Sequence, residues 1–204
     1  MHKEILNTDQ IELLALVKEY KREFYLVGGT AIALHIGHRR SIDFDLFKNG
    51  IIRHKTIISK IEKSKFKYQI TRRVNEQLNV NINNVKFTFF DYPYEIEHNV
   101  QFENKIKLPD LLTLAAMKAF ALGPRSKWKD YVDLYFILKN YHAFSEICKK
   151  SNEIYNDLFS EKLFRAQLAY FEDINYSEPV EFVVPEVSES EIKEYLTEIA
   201  LMPF

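Results

Sequence analysis

Apolar residues recur along the first half of the chain with both helical and strand spacing, and later with helical spacing alone. Residues 9–20 predict an amphipathic helix, and the preceding Asn7 and Thr8 are residue types that cap helices. Residues 51–64, IIRHKTIISKIEKS, predict another helix with a basic face.

A predicted strand between these two helices runs directly into a glycine turn. The run EFYLV predicts the strand, and Gly28-Gly29 ends it. The following AIALHI predicts a short helix with Thr30 as its N-cap and Gly37 as its end. Glycines let backbone amides approach a phosphate, and the helix N-terminus adds partial positive charge. An ordinary strand-to-helix turn has the same pattern.

Residues 41–47, SIDFDLF, alternate with period two and predict a strand with Asp43 and Asp45 on one face. The opposite face, which is expected in the core, consists of Ile42, Phe44 and Leu46. Two carboxylates about 6–7 Å apart at their Cα atoms repel each other. Mg²⁺ or Mn²⁺ removes that repulsion, and Mg²⁺ prefers one or two carboxylates together with phosphate oxygens. An exposed edge strand with two unused aspartates is the alternative.

Two more strands and then a series of helices complete the predicted architecture. QLNVNIN and NVKFTFFDY flank Asn83-Asn84, which is a hairpin signal. Helices are expected at 109–122, where Gly123-Pro124 would end the first of them, at 126–141, over 143–171, and after the cap Ser188. The segment EPVEFVVPE is expected to be an extended linker. The fold class is therefore α+β, with an α/β part at 1–108 and a helical part at 109–204.

Composition is that of an ordinary globular protein, with 47% hydrophobic and 14% aromatic residues in 204. The apolar run LLTLAAMKAFAL is too short to cross a bilayer, so no membrane partner is expected. The opening MHKEILNTDQ lacks the apolar region of a signal peptide. Cys148 is the only cysteine, which favours a reducing cytoplasmic location.

Charge is distributed unevenly although the net charge is only −1. Residues 1–150 hold 25 basic and 17 acidic residues, and residues 151–204 hold 3 and 12. A basic first part suits a phosphate-bearing partner, although solvated acidic helices would give the same imbalance. Arg72-Arg73, with the nearby lysines of 60–67, is a candidate RNA-facing surface or simply a solvated face.

Two blocks resemble a known family. GGTAIALHIGHRRSIDFDLF is similar to the signature of the AbiEii/AbiGii-type nucleotidyltransferase toxins, within the DNA polymerase β-like nucleotidyltransferase superfamily. That signature is Gly-Gly or Gly-Ser, a helix, and Asp-x-Asp on the next strand, and the additional Gly37-His38-Arg39 is more family-specific. MKAFALGPRSKWKDYVDLYFIL resembles the later block of the family, a lysine on one helix followed by an Arg/Lys-Asp-x-x-Asp run.

The resemblance implies a minimal polymerase β-like fold, a small mixed sheet with flanking helices, whose helical C-terminal part completes the cleft. It implies metal-dependent transfer of a nucleoside monophosphate from an NTP, with release of pyrophosphate. The implied acceptor is RNA, particularly tRNA, and the implied partner is a cognate antitoxin.

By position, the resemblance assigns the metal ion to Asp43 and Asp45 and the triphosphate to Gly28, Gly29 and Thr30. It also assigns nucleotide binding to Arg39, Ser41, Lys118 and Lys129, and catalysis to the aspartate pair, Lys118 and Asp133. From the residues alone, Lys118 either snorkels at the core edge or reaches into a cleft towards phosphate, which is the expectation here. Lys129 and Asp133 alone predict only an i,i+4 salt bridge.

The loop before the aspartates adds a second cationic candidate. His38, Arg39 and Arg40 are expected to form a basic knuckle that meets phosphates or faces solvent.

One position departs from the superfamily pattern, which commonly has a third carboxylate on a neighbouring strand. Thr88 holds the expected position, and Asp91, three residues on, would need a β-bulge to reach the site. This departure leaves two alternatives open: a weak or inactive nucleotide- or partner-binding module, and a transferase that acts on a protein hydroxyl.

Overall fold

A five-stranded mixed sheet forms the centre of the first of two units, residues 1–110 and 111–204, in a computed structural model that describes residues 1–122 and 126–203. Its strands are β1 (Tyr25–Val27), β2 (Phe44–Lys48), β3 (Tyr68–Val74), β4 (Gln77–Ile82) and β5 (Val85–Asp91). The order across the sheet is β1-β2-β5-β4-β3. β2 and β5 are parallel, and the other neighbours are antiparallel.

One face of this sheet is the core of the first unit. The alternation of apolar residues along its strands buries Phe44, Leu46, Leu78, Val80, Phe87 and Phe89. Three helices belong to the same unit: α1 (Thr8–Lys18), α2 (Gly28–Ile36) and α3 (His54–Ser64). Tyr20, just beyond α1, packs edge-on against Phe89 with 4.9 Å between ring centroids.

The start of α1 and the β4–β5 turn confirm two predictions. Asn7 caps α1, and a capping box joins it to Gln10. Asn83 and Asn84 form the turn with φ of 47° and 63°. Asparagine tolerates this left-handed region, and two such residues in succession match the right-handed twist of a hairpin.

The strand prediction for 41–47 is wrong at its beginning. β2 starts at Phe44, so Asp43 precedes the strand, and Ile42 is 53% exposed rather than in the core. Residues 41–43 have no strand partner, and side chains donate hydrogen bonds to the carbonyl groups of Ser41 and Asp43 instead. The core face therefore begins at Phe44.

Three strands, β3 and two short ones, were not predicted. β3 has an exposed surface along almost its whole length, so its sequence lacks the alternation that marks a half-buried strand. β6 (Val100–Phe102) and β7 (Ile106–Leu108) form a separate two-stranded antiparallel ribbon. Each has three residues, which is too short for a periodic signal.

The second unit is helical, as predicted. Its helices are α4 (Leu111–Leu122), α5 (Trp128–Asn140), α6 (Phe144–Tyr155), α7 (Glu161–Leu168) and α8 (Glu189–Leu201). The expected helix end at Gly123-Pro124 lies outside the described residues. Ser188 caps α8 by accepting a hydrogen bond from the Glu191 amide, as expected. None of the helices in the described parts of the chain is long and apolar enough to cross a membrane.

Candidate active site

The turn at Gly28 is built against Asp45. α2 begins directly after β1, and Gly28 has φ +74°, a conformation that other residues rarely adopt. A Cβ at this position would lie 2.3 Å from Asp45 Oδ2, so only glycine fits. Val27 is the register partner of Asp45. The first turn of α2, whose amides have no partner within the helix, therefore begins next to the Asp45 carboxylate.

Arg39 and Ser41 support the turn at Gly29. A Cβ on Gly29 would lie 2.6 Å from Arg39 Nη2 and 2.9 Å from Ser41 Oγ. Arg39 is only 2% exposed, and its Nη1 donates to the Arg40 carbonyl at 2.8 Å. The two side chains predicted to bind nucleotide thus pack against the second glycine of the turn.

Of the two expectations for the loop of residues 38–40, exposure to solvent is wrong for His38 and Arg39, which are both buried, whereas contact with phosphates stays a prediction. His38 is 1% exposed, and Arg40 donates to the carbonyl groups of Glu4 and Ile5. Arg40, which is half-buried, is thus held against the N-terminal segment.

The prediction that Thr30 caps α2 is also wrong. Val27 is the N-cap residue, and Thr30 lies inside the helix with 1% exposure. Its hydroxyl donates to the Asp43 carbonyl at 2.5 Å and approaches the Ser41 carbonyl at 3.3 Å. Thr30 therefore holds the backbone of Asp43 in place.

Gln10 is a supporting residue that sequence reasoning missed. It is fully buried, and its Nε2 donates to the Ser41 carbonyl at 2.9 Å while its Oε1 accepts from the Asn7 amide. The capping box predicts the bond from the Asn7 amide. It does not predict the bond to the Ser41 carbonyl, which joins residues 31 positions apart. The only available signal was a polar residue in the apolar face of α1.

Asp45 presents a carboxylate to this turn. It is half-buried, and no hydrogen bond or ion pair to its side chain occurs among residues 1–122 and 126–203. Asp43 is also half-buried and lies two residues earlier in extended chain. Nowhere in those ranges do three or more His, Cys, Asp or Glu side chains form a metal cluster. Two carboxylates this close in the chain are a donor set that suits Mg²⁺, which prefers one or two carboxylates together with phosphate oxygens and water.

Thr88 stands beside Asp45, as predicted from the alternation. The parallel register pairs these two residues, so their side chains share a face of the sheet. The register continues without a break to the Lys48–Asp91 pair, which excludes the β-bulge that Asp91 would need. Asp91 lies on the opposite face and accepts a hydrogen bond from the Gly50 amide at 2.8 Å. It cannot serve as the third carboxylate.

The predicted downstream residues lie in the second unit, where Lys118 forms a buried ionic cluster. Lys118 on α4 is 5% exposed, and its Nζ lies 2.6 Å from Asp130 Oδ1 and 3.0 Å from Asp133 Oδ2 of α5. Both aspartates are fully buried. Removing one partner from such a cluster strands a buried charge, which costs about 3–5 kcal/mol. Lys118 therefore does not snorkel at the core edge, and its contact with a phosphate stays a prediction.

Lys129 pairs with a residue far along the chain. Its Nζ and that of Lys127 both contact the Glu178 carboxylate. The segment before Glu178 adds backbone bonds, from the Trp128 amide to the Asn175 carbonyl and from the Asn175 amide to the Ser126 carbonyl. The expected linker is thus preceded by a segment that is held against the start of α5.

A glycine turn opens a helix here, and the aspartate of the neighbouring strand lies against that turn, which is the arrangement expected of a nucleotidyltransferase of the polymerase β-like fold. The chain belongs to the family of the nucleotidyl transferase AbiEii toxin of type IV toxin–antitoxin systems, whose family model matches residues 13–202. It is therefore a nucleotidyltransferase toxin by family.

Relatives span nearly the whole chain. The uncharacterized protein aq_aa25 of Aquifex aeolicus (strain VF5) is 30% identical over 190 residues, which are 85% of this chain and 88% of the relative. The nucleotidyltransferase toxin MenT4 of Mycobacterium tuberculosis H37Rv aligns with a TM-score of 0.61 and 15% identity, over 94% of this chain and 80% of that one. JHP933 of Helicobacter pylori aligns with a TM-score of 0.57 and 18% identity, over 94% and 88%. These structural likenesses confirm the predicted fold.

Substituting the two glycines tests the turn. Gly28→Ala places a methyl group on Asp45 Oδ2 and strains a positive φ, so we expect a decrease of about 1–3 kcal/mol in stability together with abolished transfer. Gly29→Ala meets the end of the Arg39 side chain without a φ penalty, so its effect should be smaller. Chemical denaturation and NTP consumption measure both, and equal effects in the two variants would contradict the geometry.

The Glu178 contact predicts a dependence on pH. Burial alone would raise the pKa of Glu178, but hydrogen bonds from Lys127 and Lys129 outweigh it and lower that pKa to about 2. A lowered folded-state pKa gives stability that is present above about pH 4.5 and is lost as the pH falls through about 2. Fluorescence of Trp128, the only tryptophan, reports the change because the Tyr176 ring lies 5.6 Å away.

In Glu178→Gln the contact with the two lysines is already weakened at neutral pH. Its Trp128 emission at neutral pH should therefore equal that of the native chain at acidic pH, where Glu178 is protonated. The exposed Glu172→Gln is the matched control and should behave as the native chain. An unchanged spectrum and pH profile in Glu178→Gln would show that the contact does not hold this segment.

Proposed function

We propose that this chain transfers a nucleoside monophosphate from an NTP to a hydroxyl group of RNA, particularly tRNA, in a metal-dependent reaction. The observation that carries the proposal is the Asp45 carboxylate, which has no protein partner in the described ranges and lies against the Gly28 turn. A carboxylate in that position suits a ligand that brings positive charge. The family supplies the reaction class, and the acceptor is inferred from the resemblance.

Asp43 and Asp45 are the residues that would hold Mg²⁺ or Mn²⁺. Thr30 and Gln10 support this role, because they bind the carbonyl groups of residues 41 and 43 and so position the backbone before β2. When bound, the ion would supply positive charge to the triphosphate and the leaving pyrophosphate.

The turn at Gly28 and Gly29 is proposed to receive the triphosphate. The free amides and partial positive charge at the start of α2 suit an anion, and the first turn of α2 itself contains no acidic residue. We propose that Thr30, Arg39 and Ser41 act on the nucleotide through this turn, since all three are buried behind it. Their role is to fix the positions of the amides and of Asp43.

The reaction joins an acceptor hydroxyl to the α-phosphate. The hydroxyl oxygen forms a bond to phosphorus and loses its proton, while the bond to the β,γ-phosphates breaks and pyrophosphate leaves. Thr88 cannot accept that proton as a carboxylate would. This favours a second candidate, a chain that binds NTP and transfers slowly, while a protein hydroxyl remains the alternative acceptor.

Lys118, Lys129 and Asp133 are proposed to serve the reaction, on the strength of the family's later block. Their ionic contacts within the second unit support a fixed geometry for Asp133, since Lys118 holds its Oδ2 at 3.0 Å. A cognate antitoxin is the proposed protein partner, because the family is that of a toxin–antitoxin system.

Removing the Asp45 charge should abolish transfer without weakening the fold. Asp45→Asn is expected to lower NTP consumption roughly 10²–10³-fold, the scale of removing one charge-stabilising group. Its unfolding midpoint should not fall, because the carboxylate has no protein partner in the described ranges. The measurement is incubation with Mg²⁺, each labelled NTP and total RNA or total protein, followed by separation of labelled product.

Asp91→Asn is the matched control, because the amide oxygen can still accept the bond from the Gly50 amide. It should retain transfer. If Asp91→Asn abolishes transfer and Asp45→Asn keeps it, the site has been assigned to the wrong face of the sheet. Labelled protein instead of labelled RNA would favour a protein hydroxyl as the acceptor. Slow release of pyrophosphate would favour the second candidate, a chain that binds NTP and transfers slowly.

Asp130 and Asp133 offer a second matched pair, since both are fully buried and both contact Lys118. Asp130→Asn and Asp133→Asn should each cost roughly 3 kcal/mol in stability. Only Asp133→Asn should reduce transfer beyond what its unfolded fraction explains. Equal specific activity in the two variants, measured below their unfolding transitions, would show that Asp133 has a structural role alone.

A further inference from the structure

The edge of the sheet carries a concentration of positive charge that the site does not use. Residues 53–73 hold eight Lys or Arg residues and one acid, Glu62, in a chain whose net charge is −1. Seven of the eight are exposed, and together they are named the cationic edge here: Arg53, Lys55, Lys63, Lys65, Lys67, Arg72 and Arg73. The eighth, Lys60, is half-buried and donates to the Glu19 carbonyl.

These seven cations are not neutralised by the protein. Within residues 1–122 and 126–203, none of them forms an ion pair with a carboxylate, and their single side-chain hydrogen bond runs from Arg73 Nε to His54 Nδ1 at 3.4 Å. The surface is therefore a positive field that faces solvent, of the kind that attracts a polyanion.

The shape of the cationic edge is that of a band. β3 is the last strand of the sheet, so one of its edges has no neighbouring strand. Lys67 directly precedes β3 and Arg73 lies near its end, so up to about 20 Å of chain separates them, with a register irregularity between Ile70 and Arg72. A nucleic acid duplex carries about one charge per 1.7 Å of its axis, so a band of this length can meet several phosphates.

A row of paired residues connects Arg72 of the cationic edge to the candidate active site, whereas Arg73 pairs with Leu78 and lies on the opposite face. Arg72 pairs with Asn79, Asn79 with Thr88, and Thr88 with Asp45, all on one face of the sheet. Three steps of about 4.8 Å between neighbouring strands separate Arg72 from Asp45 by about 14 Å at the backbone. An RNA strand bound at Arg72 would therefore reach Asp45 with about two or three further nucleotides.

We propose that the cationic edge binds the phosphate backbone of the RNA acceptor and delivers its reactive end along the row towards Asp45. The choice of RNA rests on the proposed function, whereas the preference for a polyanion rests on the unpaired cations. Exposed cations on an edge strand also prevent strand addition by another chain, which makes a protein partner at this edge less suitable.

The test measures binding of labelled total tRNA to the full chain, without NTP and with a chelator, at several salt concentrations. Lys65→Gln/Lys67→Gln and Arg72→Gln/Arg73→Gln should each weaken binding roughly tenfold. Each should also lower the slope of log affinity against log salt by about 0.7–0.9 for every phosphate that the variant no longer neutralises. Lys149→Gln/Lys162→Gln removes two exposed charges from the other unit and should leave both quantities unchanged.

Unchanged affinity and slope in the edge variants, or an equal decrease in the control variant, would overturn the proposal. Its failure is distinguishable from failure of the proposed function. Asp45→Asn should keep its tRNA affinity, and the edge variants should still bind NTP with Mg²⁺. If the chain binds tRNA through the edge but never consumes NTP, this inference stands and the proposed reaction is wrong.

Discussion

The close approach of Gly28 to Asp45 is the constraint on which the rest of the site depends. A strand passes into a helix without an intervening loop, and the left-handed φ of Gly28 makes that change of direction possible. The same glycine leaves space that the Asp45 carboxylate occupies. This brings together the free amides at the start of α2 and the Asp45 carboxylate, which has no partner in the described ranges. The amides need an anion and the carboxylate needs a cation, at the same place. A phosphate with its cation satisfies both at once.

Buried polar side chains hold the segment that leads into β2. Residues 41–43 pair with no strand, and a buried carbonyl group without a donor costs about 1–3 kcal/mol. Gln10 and Thr30 provide those donors from two different helices. The buried guanidinium of Arg39 and the hydroxyl of Ser41 then pack against Gly29. Arg39, Ser41 and Thr30, which the sequence predicts to bind nucleotide, thus support the Gly29 turn and the backbone before β2.

In the second unit, charged side chains are paired with one another. Lys118 is enclosed with Asp130 and Asp133, and the two lysines at the start of α5 share Glu178. Such clusters are expensive to form and to break, so they specify one arrangement of α4, α5 and the segment before α8. The cationic edge in the first unit, by contrast, leaves its charges in solvent, where they are available to a partner and sensitive to salt.

Local patterns in the sequence determined the α+β order of elements, the Asn83-Asn84 hairpin, the cap of α1, the helical second part and the glycine–aspartate signature. These features depend on residues close together in the chain, where spacing and side-chain type act directly. Only the tertiary structure decided that Thr30 and Arg39 are buried and that Gln10 supports residue 41. It also decided that no β-bulge brings Asp91 round to the site and that β3 is an exposed edge. Each of these depends on contacts between distant segments, because burial and register are properties of packing rather than of local sequence.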